Sequence, residues 1–351
     1  MNQGRQMTDK MLEELEKKIS KEYSTAEKEI KKKLEDYFRK FEAKDAIKRQ
    51  QMLDGKITVQ EYKQWRIGQM AIGERWNSMK DIISDDLSNA TKIAKSTANG
   101  YMPEVYALNH NFATYEIEKA GKIDTSYTLY SRESVERIMR DDPQLLPPPG
   151  KRMKKKIASG AAKKWEKGKL QSAITQSILQ GESVPNMATR IARDLCVSDR
   201  KAAIRYARTA VTEAENAGRM DGYERAQDMG IKVKKTWVAT LDDRTRDAHR
   251  ELDGQTVDID KPFQNEIGEI MYPGDETADP ENFWNCRCTM ISQVEGFETN
   301  IADLGLRNVN KLGDMSYDEW KKTHGTSQDI EEPDRVAKHM KIRYINEDYR
   351  K

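Results

Sequence analysis

The sequence predicts an α+β fold that is predominantly α. It has an elongated helical N-terminal region, then a helical middle, then a small antiparallel α+β domain. Three observations lead there. Apolar residues recur at spacings of three and four through most of the first 230 positions, the period of one helix face. From 231 to 295 the pattern changes to short, alternating, β-branched runs between turn residues. The 351-residue chain is 34% charged and only 36% apolar, with mean hydropathy −0.91. Such polarity suits long helices that each bury one stripe.

Residues 9 to 50 read as one amphipathic helix. Leu12, Leu15, Ile19, Tyr23, Ala26, Ile30, Leu34, Tyr37 and Phe41 form its stripe, and Thr8 is placed to cap it. Gly55 breaks the pattern. Helical periodicity then resumes, with Trp65, Ile72, Trp76, Met79 and Ile83 as core candidates. A turn is expected around "ANGYMPE", followed by a helix that stops at Gly121. Trp65, Trp76, Tyr101 and Tyr106 read as packing residues rather than ligands.

"DDPQLLPPPG" is the clearest boundary, because three consecutive prolines force an extended segment. The expected organisation is a helical region over 1–142, a proline-rich linker over 143–150, and a basic helical segment over 151–230. A small α+β domain over 231–295 follows, with a helix over 198–230 packed on it, and then a polar, partly helical tail over 296–351. Pro185 suits a first helical turn, Ser198 an N-cap and Gly230 a helix stop. In the small domain "IKVKKTWVAT", "QTVDIDKPF" and "CRCTMISQV" read as strands and "DDRTRDAHRELDG" as a short helix. "MYPGDETADPEN" reads as a loop. In the tail, "SYDEW" and "PDRVAKHMKIRY" are helix candidates.

Composition excludes several classes. The net charge is +2, so no global field points to a polyanion or a membrane. No apolar run approaches the ~18 residues of a membrane span, and the N-terminus lacks the apolar core of a secretory leader. Three cysteines make no disulfide framework, so a reducing site of synthesis is expected.

The charge is instead local. Residues 151–169 carry nine basic residues, Lys151, Arg152, Lys154, Lys155, Lys156, Lys163, Lys164, Lys167 and Lys169, against a single acid, Glu166. Such a run is either a solvated helix face or a non-specific site for double-stranded DNA, whose affinity would fall steeply with salt. Trp165 can stack on a base or pack. No base-reading signature accompanies the run.

The second constellation surrounds His249. Asp242, Asp243, Asp247 and Asp253 lie near it, and Cys286 and Cys288 stand one residue apart. If the cysteines lie on a strand, both thiols face one side. With His249 and a carboxylate such as Asp253 they match the ligand types of tetrahedral zinc, although the C-x-C spacing is short for a zinc site. A disulfide between them conflicts with extended geometry. Cys, His and Asp are also the parts of a thiol nucleophile, with Arg208, Glu213 and Asn216 available to line a cleft. The plainest reading is two buried reduced thiols beside a structural histidine, with no cofactor and no catalytic residue. Phosphate-loop, H-E-x-x-H and nucleophile-elbow motifs are absent from the sequence.

Taken in order, "YARTAVTEAENAGRMDGYERA", "KKTWVATLDDRTRDAHRELDGQTV", "MYPGD" and "NCRC" resemble the Mu F-like family of phage minor head (head morphogenesis) proteins. The matching positions are Arg208, Thr209, Asp242, Arg244, Thr245, His249, Gly254, Tyr272, Pro273, Gly274, Asp275, Asn285, Cys286 and Cys288. "GKITVQEYKQWRIGQ" is similar to minor head proteins of phages of Gram-positive bacteria. One departure is Ala210, which stands directly after Arg-Thr where some members carry an acid. The resemblance implies a non-enzymatic structural protein made in the host bacterial cytoplasm and kept inside the virion. Its partners would be the portal protein, the capsid interior and, non-specifically, double-stranded DNA, which it would help deliver on ejection. The competing reading is a thiol- or zinc-dependent domain carried in the virion.

Overall fold

The computed structural model describes residues 3–70, 73–125, 127–141, 170, 172–173, 175–176, 182–294, 315–327 and 333–339. Helices dominate. They are α1 (Gln3–Leu53), α2 (Val59–Met70), α3 (Glu74–Gly121), α4 (Arg132–Asp141) and α5 (Val184–Asp228), then the short α6 (Asp247–Leu252), α7 (Pro280–Phe283), α8 (Tyr317–Thr323) and α9 (Pro333–His339). The strands are β1 (Leu129–Tyr130), β2 (Val233–Val238), β3 (Thr256–Asp258), β4 (Phe263–Asn265), β5 (Gly268–Ile270), β6 (Thr289–Val294) and β7 (Thr326–Ser327). The predominantly α, α+β class expected from the sequence is therefore what the chain adopts. The proline-rich linker and the basic run lie outside the described residues, as does Ile72.

Two compact units are present, one of Met1–Leu15, Ala98–Pro149 and Arg205–Lys351, the other of Glu16–Thr97 and Gly150–Ile204. In the second unit α1 buries Ile19, Tyr23, Ile30, Leu34, Tyr37 and Phe38, while Leu12 and Phe41 of the expected stripe are half-buried. Trp76 and Ile83 of α3 are buried, and Trp65 and Met79 half-buried. Tyr23 Oη bonds Thr91 Oγ1 at 3.0 Å. Buried Arg66 pairs with Asp45 at 3.1 Å and donates to the Glu182 carbonyl at 3.2 Å.

In the first unit a three-stranded antiparallel sheet has the order β3-β2-β6. Beside it stands the β4–β5 hairpin, and β1 pairs with β7 in parallel. Trp237, Leu252, Phe263, Ile270, Phe283, Cys286 and Cys288 form the core of this region. The last turns of α5 run close to α3. A Cβ on Gly218 would lie 2.4 Å from the Tyr106 carbonyl oxygen, and one on Gly222 would lie 2.9 Å from Ala113 Cβ. Buried Asp221 accepts from Tyr106 Oη at 2.9 Å and faces His110 Nδ1 at 3.0 Å and Arg335 Nε at 3.5 Å. Burial disfavours its charge, but His110, His339 and Arg335 overcome that and hold its carboxyl below the ordinary range.

Several local stop signals behave as the sequence predicts. Gly55 and Gly230 adopt φ of +73° and +84°. At Gly230 the bonds Gly230 N–H to Gln227 O and Ile231 N–H to Ala226 O close α5 in the manner of a Schellman cap. Others are overridden. Thr8 is not a cap; it lies inside α1, buried, with its hydroxyl donating to the Gly4 carbonyl at 3.1 Å. No turn interrupts α3 at Gly100 and Pro103, because Met102, Val105 and Tyr106 are fully buried there. That burial outweighs the roughly 3 kcal/mol a mid-helix proline costs. Ser198 likewise lies within α5, where Leu195, Cys196 and Ala203 are buried on either side of it.

Candidate functional site

Helix α5 supplies the base of the site. Thr209 Oγ1 donates to the Arg205 carbonyl and accepts the Asn285 backbone N–H at 2.9 Å. Asn285 needs that support, because it sits at φ +56°, a conformation that Asn tolerates better than most residues. One turn on, Thr212 donates to the Cys286 carbonyl at 2.9 Å. Asn216 donates to the Cys288 carbonyl at 3.4 Å and accepts from the Met290 N–H at 3.1 Å. The "Y-P-G-D" loop lands on the same turn. Gly274 has φ +88°, and a Cβ there would meet Glu213 N at 2.8 Å. Buried Asp275 holds the loop by accepting from the Met271 and Thr277 backbone N–H groups at 3.2 and 2.9 Å.

The cysteines are not on a strand, contrary to the sequence expectation. Cys286, Arg287 and Cys288 form an extended segment between the Asn285 turn and β6. The outcome expected of a strand still holds. Both thiols are buried and face His249, whose Nδ1 lies 3.7 Å from Cys286 Sγ and 3.5 Å from Cys288 Sγ. Arg287, between them, turns to Asp242, and its two terminal nitrogens donate to the two carboxylate oxygens at 2.6 Å each. This fork holds the Asp242 carboxyl well below its usual range.

His249 is fixed from behind. Its Nε2 lies 2.8 Å from the Asn282 carbonyl, which can only accept, so Nε2 carries the proton. Nδ1 then presents its lone pair to the thiols. Trp237 packs against the ring edge-on, at 5.6 Å and 77°. Cys288 is held below the ordinary thiol range chiefly by its hydrogen bond with Cys286, whereas burial pushes Cys286 well above it.

The other predicted residues divide. Gly254, at φ +78°, turns the chain into β3, and its N–H donates to the Trp237 carbonyl at 2.9 Å. Thr245 accepts the Asp242 N–H at 3.1 Å and Asp242 accepts the Arg244 N–H at 2.9 Å, closing the loop before α6. Tyr272 and Pro273 are buried, and Tyr272 donates to the His339 carbonyl at 3.3 Å. Asp243 and Asp247 are exposed. Asp253 is not with the thiols; it accepts the Ala239 N–H at 2.8 Å. Glu213 and Asn216 are buried under the loops and line no cleft, and Arg208 is half-buried. Lys151, Arg152, Lys154, Lys155, Lys156, Lys163, Lys164, Lys167 and Lys169 lie outside the described residues.

Sequence reasoning missed two contributors: Asn282, which orients His249 through a backbone atom, and Thr240. Thr240 lines, with Arg246 and Arg244 of the sequence constellation, Thr245, His249, Asn285 and the Cys-Arg-Cys segment, a cavity of about 50 Å³ in front of the thiols. The chain also buries Lys235, which an alternating strand placed on its inward side. Its Nζ donates to the Ile259 and Met271 carbonyls at 2.9 Å each, and burial lowers its pKa to about 8. A second acid–histidine group, Glu118, Asp124 and His324, is explained without an ion. Glu118 already accepts from Thr125 N–H at 2.9 Å, from the Thr125 hydroxyl and from Trp320 Nε1 at 2.6 Å.

Helix α5, the Asp242–Gly254 turn-and-helix, the "Y-P-G-D" loop and the Cys-Arg-Cys segment are thus one assembly. Residues 168–291, which contain it, match the family described as Phage Mu protein F like protein. The Minor head protein GP7 of Bacillus phage SPP1 is 24% identical over 318 residues, 90% of this chain and 94% of that protein. Residues 168–291 thus carry a Mu F-like domain, and the chain is similar to a phage minor head protein over most of its length. It is also 30% identical, over 261 residues, to an Enterococcus faecalis protein named NAD(+)--arginine ADP-ribosyltransferase EFV, covering 70% of this chain and 49% of that one. An uncharacterised Haemophilus influenzae protein is 28% identical over 64% of this chain and 45% of its own length. The chain thus spans about half the length of these last two relatives. No solved structure matches. Among the described residues no helix is long and apolar enough to cross a membrane.

Proposed function

We propose that this chain is a minor head protein, a non-enzymatic structural component of the virion seated inside the capsid near the portal. There it takes part in head morphogenesis, contacts the packaged DNA non-specifically and helps deliver it. The observation that carries the reading is the similarity to a phage minor head protein across 94% of that protein's length. The DNA contact rests on the nine-to-one excess of basic over acidic residues in 151–169.

Quantitative proteomics of full particles against DNA-ejected ghosts tests residence and release together. The protein is expected in full particles and depleted from ghosts. Equal amounts in both would remove the delivery role, and absence from full particles would remove the virion role. For DNA, exchanging Lys151, Arg152, Lys154, Lys155 and Lys156 for Gln should flatten the salt dependence of duplex binding, by about 0.9 in log–log slope per lost phosphate contact. An unchanged slope would remove that contact.

One relative favours a second reading, NAD-dependent modification of arginine. The present chain corresponds to 49% of that protein, so the named activity need not reside in the shared half. Incubation with labelled NAD⁺ and an arginine-rich acceptor decides the matter. Transfer of label would overturn the non-enzymatic reading.

A further inference from the structure

We infer that His249, Cys286 and Cys288 bind one zinc ion, with the fourth coordination position open to water in the small cavity before them. The inference is independent of the capsid role.

Geometry is the first argument. Tetrahedral zinc with Zn–S of about 2.3 Å and Zn–N of about 2.0–2.1 Å sets a nitrogen and a sulfur ligand about 3.6 Å apart. His249 Nδ1 stands 3.7 and 3.5 Å from the two sulfurs. All three ligand atoms lie within 4.8 Å of one another. The two nitrogen–sulfur separations match edges of one coordination tetrahedron, reached with all three side chains buried.

The surroundings are the second. A metal-binding histidine commonly donates its other N–H to an acceptor that fixes the tautomer. The Asn282 carbonyl does this for Nε2, leaving Nδ1 free to ligate. The Cys288 backbone N–H points at Cys286 Sγ at 3.4 Å, a donor positioned to support a thiolate. Both cysteine carbonyls are fastened to α5 by Thr212 and Asn216, so the segment is held before any ion arrives.

The fourth position follows by exclusion among the described residues. Asp253 is committed to the Ala239 N–H and Asp242 to Arg287. No carboxylate therefore completes the set. In front of the thiols is instead the cavity of about 50 Å³, larger than the roughly 10–15 Å³ one water requires. Arg246 lines it, and its Nη1 is buried there without a hydrogen-bond partner. Two thiolates neutralise Zn²⁺, so a cationic neighbour selects water or a small anion for the remaining site.

The test uses the full chain, purified reduced and without chelators, then loaded with zinc and dialysed. About one zinc per chain is expected by elemental analysis. It should fall to background in His249→Ala, Cys286→Ser and Cys288→Ser and be unchanged in Cys196→Ser. Cobalt substitution of the unaltered protein guards against variants that fail to fold. Sulfur-to-cobalt charge transfer and intense tetrahedral ligand-field bands are expected, and added azide should shift the latter. Folded protein that retains no zinc, or bound cobalt without the charge-transfer band, would overturn the site. Bands unmoved by azide would overturn the open position.

Discussion

Gly274→Ala separates two physical effects that usually arrive together. At φ +88° an L side chain is strained, which costs roughly 1–2 kcal/mol. The new methyl would also lie 2.8 Å from Glu213 N, 3.0 Å from Glu213 Cα and 3.1 Å from Thr212 C. All three are helix backbone atoms that cannot rotate away, so overpacking adds about 1–3 kcal/mol. Gly254→Ala is the matched control, because it has φ +78° and nothing within 4 Å of its Cβ. The control should lose roughly 1–2 kcal/mol and Gly274→Ala about 2–5 kcal/mol. The two units need not unfold together, so the assay must be local. Amide hydrogen exchange across 271–290 reads the opening free energy of that segment. A loss of 2 kcal/mol there is about a 30-fold fall in protection. Equal losses in the two variants, or a larger one at Gly254, would show that the loop does not rest on α5.

Two further outcomes follow from buried polar groups. The Lys235 pKa is lowered by burial from 10.5 to about 8, so between those values the unfolded chain binds the extra proton. Stability therefore gains up to about 3 kcal/mol as pH rises through that window; the stability difference between wild type and Lys235→Met, followed by chemical denaturation from pH 7 to 11, should trace that rise, and a pH-independent difference would refute the burial. Asn216→Leu leaves the Cys288 carbonyl and the Met290 N–H without their partner and should cost about 1–3 kcal/mol per orphaned group; exchange in β6 measures it, and unchanged protection would mean that water replaces the amide.

What was legible in the sequence depended on scale. Gly55 and Gly230 could be read as stops because their positive φ is a backbone requirement that no packing removes. Thr8, Gly100, Pro103 and Ser198 carry the same kind of local signal, yet each lies inside a helix. Their neighbours are buried, and that burial exceeds the preference of one residue. At the site, the residue types and their convergence could be read from His249 and the C-x-C pair. Their placement in a strand was wrong, because nothing in "WNCRC" announces that Asn285 takes a left-handed turn held by Thr209. Asn282 contributes a carbonyl that any residue would supply, so no side-chain motif could reveal it. Burial of Lys235 was not read from the sequence, because its charge speaks against the inward side on which the alternation of its strand puts it.

The way α5 holds the Cys-Arg-Cys segment has one more consequence. Thr209, Thr212 and Asn216 grip main-chain atoms: the Asn285 N–H, the Cys286 and Cys288 carbonyls and the Met290 N–H. Path and identity are thereby uncoupled. These four anchors fall on main-chain atoms and engage neither sulfur. The segment works as a mount whose fittings can be chosen for chemistry, and the two presented to His249 are thiols.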